Sequence, residues 1–265
     1  MTDILDFVAP LFAPAHRSER FEKAAASGAD AIILDLEDGV PQDVKQRARS
    51  VIDANFTSLP VFVRINGSQT EWHEADLAAA LSGQFSGIVL PKSEAGPDLD
   101  RVCARALEEG IRVIALVETA KGIRDVHAIA RTEGVARLVF GSVDFCADIG
   151  AAHSREALLS ARSEVVLASR TAGIPSPVDG VTTAINDLTL VKSDARHACD
   201  LGFRGKLCIH PKQVEPVRAA FRPTVEEIAW ATAVLSSGEG AVMLGGDMVD
   251  EPVRIRARAI ITRSK

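Results

Sequence analysis

Short, wholly apolar runs alternate along the chain with longer segments in which apolar residues recur every three or four positions. Ala31-Ile-Ile-Leu34 and Val113-Ile-Ala-Leu-Val117 typify the runs. They have strand length and lack the in–out alternation of a half-solvated sheet, so they predict parallel strands buried on both faces. Eight strands are expected: Pro10–Pro14, Ala31–Leu36, Val61–Ile65, Gly87–Leu90, Val113–Val117, Leu138–Val143, Ser176–Val181 and Lys206–Ile209. The segments between them, such as Arg20–Ser27 and Leu99–Leu107, carry helical periodicity. Gly28, Gly110, Gly134, Gly173 and Gly202 each follow a helical stretch and precede a strand, where a left-handed residue ends a helix at least cost.

About eight β-then-α units in roughly 220 residues predict an α/β fold, a (β/α)8 TIM barrel. An open doubly wound sheet is the alternative, but no GxGxxG fingerprint follows the first strand. The barrel is assigned to residues 1–222 and a C-terminal helical extension to residues 223–265. Within the extension, Thr224 and Glu226/Glu227 start a helix over Val225–Ser236. A Gly-rich stretch from Ser237 to Gly246 and a final helix over about Pro252–Ser264 follow. The Gly-rich stretch reads either as the hinge of a lid or subunit-reaching arm, or as an ordinary surface connection.

Composition narrows the partners. Net charge −6 and a pI near 5.6 argue against a nucleic-acid or anionic-membrane surface. Tyr is absent, which removes one class of catalytic acid or base. Cys103, Cys146, Cys199 and Cys208 show neither CxxC nor CxxH spacing and read as buried reduced thiols. Met1-Thr-Asp-Ile-Leu-Asp6 is acidic where a secretory signal is basic, and no apolar run approaches spanning length. A cytoplasmic protein is expected.

In a barrel of this type the chemistry sits at the C-terminal ends of the strands. Those ends are unusually polar: Glu37 and Asp38 after strand two, Arg64 at strand three, Lys92 after strand four, Glu118 after strand five and Asp144 after strand six. Asp179 and His210 mark the last two. Carboxylates crowded on one rim repel unless a cation holds them, and Arg64 alone cannot balance so many. Glu118 and Asp144 without His or Cys companions favour Mg²⁺, or Mn²⁺, over Zn²⁺. A buried ion-pair network of Glu118 and Asp144 with Arg64 or Lys92 is the bland alternative, as is a structural pairing of Arg64 with Glu37.

Eight motifs occur in order from Leu11 to Pro252: Leu11–Ala24, Asp35-Leu-Glu-Asp-Gly-Val40, Val63-Arg-Ile-Asn-Gly67, Leu90-Pro-Lys92, Val117-Glu-Thr-Ala-Lys-Gly122, Phe140-Gly-Ser-Val-Asp-Phe145, Ile209-His-Pro-Lys-Gln213 and Met248-Val-Asp-Glu-Pro252. Together they resemble the citrate lyase β-subunit-like proteins of the HpcH/HpaI aldolase superfamily. The resemblance implies a TIM barrel, often trimeric, that makes or breaks a C–C bond between a coenzyme A thioester and a 2-keto acid (oxaloacetate, pyruvate or glyoxylate). It implies Glu118 and Asp144 as Mg²⁺ ligands, Glu37 and Asp38 as holders of metal-bound water, and Arg64 as the group that binds the keto-acid carboxylate. It implies Asp250, supplied by an adjacent subunit, as general acid/base. Asp250 as a solvated N-cap ahead of Pro252 is the competing reading.

Backbone N–H groups near Gly141 and Ser142, or Gly67, would steady developing negative charge. Arg17 and Lys23 beside the first strand, with His210, are candidates for the coenzyme A channel, although a solvated helix face explains the first two equally well. One departure stands out. Many relatives begin Arg-Ser-x-Leu-Phe-x-Pro-Gly, whereas Val8–Ala15 lacks both the Arg and the Gly. Two other activities stay open: an aldolase on free 2-keto-4-hydroxy acids, for which His16 is placed as a base, and a lyase subunit that works only with an acyl carrier protein.

Overall fold

The computed structural model describes residues 4–238 and 240–264. Met1, Thr2 and Asp3 of the acidic N-terminal stretch, Glu239 of the Gly-rich stretch, and Lys265 lie outside the described residues.

Six strands form one parallel sheet in sequence order: β1 Leu11–Pro14, β2 Ile32–Asp35, β3 Val61–Arg64, β4 Gly87–Leu90, β5 Arg112–Val117 and β6 Val135–Phe140. Helices α1 Phe21–Ala25, α2 Lys45–Ser50, α3 His73–Ser82, α4 Pro97–Glu108, α5 Ala120–Arg124 and α6 Val126–Arg131 connect them. Beyond β6 run α7 Ser142–Ile149, α8 Arg155–Ala172, α9 Leu188–Leu201 and α10 Val214–Phe221. The expected seventh and eighth strands are reduced to single bridges. Val139 pairs with Val178, Asp179 with Lys206, and Cys208 with Leu11, all parallel, which closes the ring back onto β1. The fold is the expected TIM barrel, with two of its eight staves minimal.

The ring is filled as a core. Ile33, Phe62, Val89, Ile114, Leu116, Val139, Val178 and Leu207 form one buried cluster, with Leu5 and Phe7 packed into it. Arg137 is buried beside them. Its guanidinium donates to the carbonyls of Leu5, Phe7 and Ser176 and lies over the Phe7 ring, so it satisfies backbone that the barrel would otherwise strand. All five helix-ending glycines have positive φ, as their spacing predicted.

The chain divides into two compact units, the first ending at Arg218 and the second beginning at Ala219. In the second unit α11 Val225–Ser236 opens on a complete capping box. Thr224 Oγ accepts from the Glu227 N–H, and the Glu227 carboxylate accepts from the Thr224 N–H. The Gly-rich stretch, read from the sequence as a hinge or a surface connection, carries local order of its own. It supplies the first strand and the turn of an antiparallel hairpin, β7 Val242–Leu244 with β8 Asp247–Val249 just beyond it, turned by Gly245 and Gly246 at φ +62° and +97°. Positive φ at both turn residues is what a two-residue type I′ turn requires. α12 Glu251–Arg263 follows, and Ala231, Val234, Val249, Ala257 and Ile260 form the unit's own core.

Candidate active site

Register places the central ion pair. Asp35 and Arg64 are partners across β2 and β3, so their side chains leave the sheet together at its C-terminal edge. Arg64 forks onto Asp35, with Nε and Nη2 each 2.7 Å from a carboxylate oxygen. The backbone N–H groups of Glu37 and Gly39 donate to the same carboxylate. Burial would raise the Asp35 carboxyl, but the Arg64 charge and these hydrogen bonds outweigh it and hold it below its ordinary range. Gly39 is required here, because a Cβ would lie 2.5 Å from Asp35 Oδ2. Asp35, left without a role in the sequence reading, is thus the main partner of Arg64. Two of the five guanidinium N–H donors are spent on it.

The second carboxylate pair is Glu37 and Glu118. Lys92 joins them: its Nζ lies 2.6 Å from Glu37 Oε1, and its backbone N–H donates to Glu118 Oε1 at 2.9 Å. Lys92 is the non-glycine residue with positive φ (+48°) among the described residues, a conformation that aims its N–H at Glu118 while its side chain reaches Glu37. Glu37 Oε2 is buried 3.0 Å from Arg64 Nη1 without the alignment of a hydrogen bond, so it has no hydrogen-bond partner. The exposed Asp38 stands 3.8 Å from the same nitrogen. Behind this rim, Lys45 Nζ donates to the carbonyls of Leu36 and Glu37 and to Asn66 Oδ1 and fixes the loop after β2.

Glu118 follows the last residue of β5, and the N-cap Thr119 then opens α5 by accepting from the Gly122 N–H. The Val117–Phe140 pairing brings Gly141 alongside, where a Cβ would lie 2.3 Å from Glu118 Oε2. Gly141 therefore makes room for the carboxylate. Its N–H is already donated to Val117 O, which corrects its expected role as a charge-stabilising donor. Asp144 is also not a strand-end residue. β6 stops at Phe140, and Asp144 lies in the first turn of α7, whose first hydrogen bond runs from the Phe145 N–H to Gly141 O. The strand boundary at Val143 fails because the apolar run continues through Gly141 into the helix.

Burial, then the charges of Glu37 and Asp144, push Glu118 up to about 8, against the Lys92 N–H and Arg64. Glu118, Asp144, Arg64, Asp38 and Ser142 line a cleft of about 390 Å³, with Phe12, Val143, Val181 and Ile209 as its apolar wall. Glu37 and Gly67 instead line a neighbouring cavity of about 370 Å³. Arg17, Lys23 and His210 line neither. Arg17 pairs with Glu19, Lys23 is exposed, and His210 Nδ1 accepts from the Lys212 N–H as an N-cap. His16 is absent from both walls, and Asp250 Oδ1 accepts from the Val253 N–H at 3.4 Å, so it caps α12.

Among the described residues no group of three or more His, Cys, Asp or Glu side chains assembles as a metal cage. The donors on offer are the carboxylates of Glu118 and Asp144, all oxygen, which suits an ion that keeps several waters. The orphaned Glu37 Oε2 is an acceptor such a water would satisfy, and a cation would relieve the repulsion that raises Glu118. The residues fit Mg²⁺.

Residues 9–211 match the family described as HpcH/HpaI aldolase/citrate lyase. The citrate lyase subunit beta-like protein of Deinococcus radiodurans is 36% identical, with 95% of each chain covered. A (3S)-malyl-CoA thioesterase of Cereibacter sphaeroides is 31% identical over 98% of this chain and 95% of its own. Among solved structures, the CitE protein of Mycobacterium tuberculosis in complex with magnesium, acetoacetate and coenzyme A superposes with a TM-score of 0.86 at 36% identity, covering 99% of both chains. The chain belongs to the HpcH/HpaI aldolase/citrate lyase family.

Proposed function

We propose that this protein is a Mg²⁺-dependent carbon–carbon lyase. It cleaves, or in reverse forms, a 3-hydroxyacyl-coenzyme A such as malyl-CoA, citramalyl-CoA or a citryl thioester, giving an acyl-CoA and a small 2-keto acid. The observation that carries the reading is Glu118, a buried carboxylate pushed up to about 8 beside Asp144 and Glu37 in a cleft that also presents Arg64. The similar CitE protein, which binds magnesium, acetoacetate and coenzyme A, supports it.

Glu118 and Asp144 would hold the ion, which supplies Lewis acidity and a template for the acid half of the substrate. Arg64, fixed by Asp35 with N–H donors still unspent, receives the keto-acid carboxylate and draws charge onto its carbonyl oxygen. Glu37 and Asp38 accept from water at the same rim. The N–H groups of Ser142 and the residues after it precede the first hydrogen bond of α7 and face developing negative charge with the positive end of the helix. In the cleavage direction the hydroxyl proton passes to water held at this rim by the Glu37 and Asp38 carboxylates, the C–C bond breaks, and the thioester half leaves as an enolate. Asp250 of a neighbouring copy, in a trimer, protonates that enolate at carbon, and in condensation its carboxylate removes the same proton. Four free, buried cysteines suit a reducing cytoplasm, and no helix among the described residues is long and apolar enough to cross a membrane.

The test is a paired assay of thiol and keto acid released from malyl-CoA, citramalyl-CoA and 3-hydroxy-3-methylglutaryl-CoA, with and without chelator. Mg²⁺-dependent release of glyoxylate, pyruvate or acetoacetate without free thiol establishes the lyase and names its substrate. Free thiol without keto acid would replace it with thioester hydrolysis, the activity for which the Cereibacter relative is named. Turnover restricted to free 2-keto-4-hydroxy acids, or to acyl-carrier-protein thioesters, would assign one of the two other activities.

A further inference from the structure

The loop between α7 and α8 holds a side chain that this mechanism leaves unused. Gly150, left-handed at φ +68°, ends α7, and Ser154 starts α8 by accepting from the Ala157 N–H. The Ala151 N–H donates to Cys146 O, which ties the loop back onto α7. Between these caps His153 is held with Nε2 2.9 Å from Ser142 Oγ. Ser142 is 1% exposed and lines the cleft beside Gly141 and Asp144. Gly180 faces it, and a Cβ there would lie 2.4 Å from Ser142 Oγ. A cleared backbone on one side and a ring nitrogen on the other both serve this one hydroxyl.

Burial, then the Arg162 and Lys206 cations, hold His153 below the ordinary histidine range against Asp179 and Asp194, so the ring is neutral at pH 7. A neutral ring offers Ser142 either a lone pair or a proton. If Nε2 accepts, the Ser142 proton is spent on the ring. If Nε2 donates, that proton is available to a ligand. The surrounding wall is apolar (Val143, Val181, Ile209), and the cleft's other fixed charges besides Arg64 are carboxylates, so an anionic acid half needs every donor that faces it.

We propose that His153 is a positioning residue: it donates from Nε2 to Ser142 and so frees the Ser142 hydroxyl to donate to the carboxylate of the bound 2-keto acid. The assignment rests on the functional reading above and adds a specificity contact to it.

Calorimetric titration of pyruvate into the Mg²⁺-loaded full chain tests it, with Ser142→Ala, His153→Leu and His153→Gln beside the wild type. ¹⁵N spectra of labelled histidine report the His153 tautomer. Loss of one hydrogen bond to a charged ligand should weaken pyruvate binding about tenfold in Ser142→Ala and His153→Leu. His153→Gln, whose amide keeps an N–H donor, should recover most of it, and coenzyme A affinity should stay unchanged in all three. In the wild type, pyruvate should drive Nε2 into its protonated form, a signature that a merely structural histidine would not give. Affinity in His153→Leu within twofold of wild type, or an unprotonated Nε2 with pyruvate bound, overturns the assignment while leaving the lyase reading intact. A wild type that binds no 2-keto acid overturns both.

Discussion

Asp35 and Glu37 together set how much of Arg64 remains for a ligand. The fork onto Asp35 is buried and fixes the guanidinium plane, while Glu37 stands close without hydrogen-bond alignment. Breaking a buried pair from one side leaves an uncompensated charge, so Asp35→Asn should cost about 3–5 kcal/mol of stability in chemical denaturation. Glu118 carries the pH dependence. Its folded-state value, about 8, lies above the ordinary 4.5, so between the two the folded chain holds a proton that the unfolded chain has released. Stability contributed by this group therefore falls as pH rises through that window. Melting of the chelated protein should drop between pH 5.5 and 8.5, Mg²⁺ should restore more at the upper end, and Glu118→Gln should flatten the profile. A wild-type profile as flat as that of Glu118→Gln would remove the strained carboxylate from the account. Glu118 and Arg64 were legible as candidates because a charge at the end of an apolar strand demands a partner, and Asp144 because the apolar run of β6 leads into it. Asp35 was passed over because a carboxylate inside the strand-end motif looks like its neighbours until register sets it beside Arg64. His153 lacked any spacing signal, since its contact to Ser142 depends on two caps.

At the scale of elements, capping separates two roles of one residue. Asp250 is both the N-cap of α12 and the proposed acid/base, and Asn caps a helix about as well as Asp. Asp250→Asn should leave the melting temperature nearly unchanged while abolishing turnover. Asp250→Ala should lose turnover and about 1 kcal/mol as well. Turnover surviving in Asp250→Asn would confine the residue to its cap. The helix starts and stops were readable, as the Thr224 capping box and the five positive-φ glycines show, because each is a local backbone requirement. The β7–β8 hairpin was not, since its strands are three residues each at the end of a Gly-rich stretch and carry too little pattern to register. The boundary error at Asp144 has the same origin in reverse: apolar continuity across Gly141 hid the change from strand to helix.

For the molecule as a whole, ring closure depends on residues whose strands barely exist. Where the seventh and eighth strands of an ideal barrel would run, Asp179 is buried between Arg162 Nε and Lys206 Nζ, each at 2.9 Å. Burial opposes the Asp179 charge, but Lys206 and Arg162 outweigh it and hold the carboxyl below its usual range. Its stabilising contribution is thus complete above the unfolded value, about 4, and is lost as pH falls through the lower folded value. Asp179→Asn should destabilise the barrel by about 3–5 kcal/mol at neutral pH and shrink the acid-induced loss in a denaturation series below pH 4. The alternation of strands and helices was enough to foresee the barrel, whereas its closure by single bridges and a buried ion network could not be foreseen, because Asp179 read as one more polar strand end and its partners Arg162 and Lys206 carried no signal of their own. The central claim is that Glu118 and Asp144 hold a magnesium ion. Calorimetric titration of Mg²⁺ into wild type, Glu118→Gln and Asp144→Asn, repeated at pH 8 in buffers of different ionisation enthalpy, tests it most directly. The account predicts wild-type binding with proton release from Glu118, and loss of binding in both variants. Unaltered Mg²⁺ affinity in either variant would contradict it.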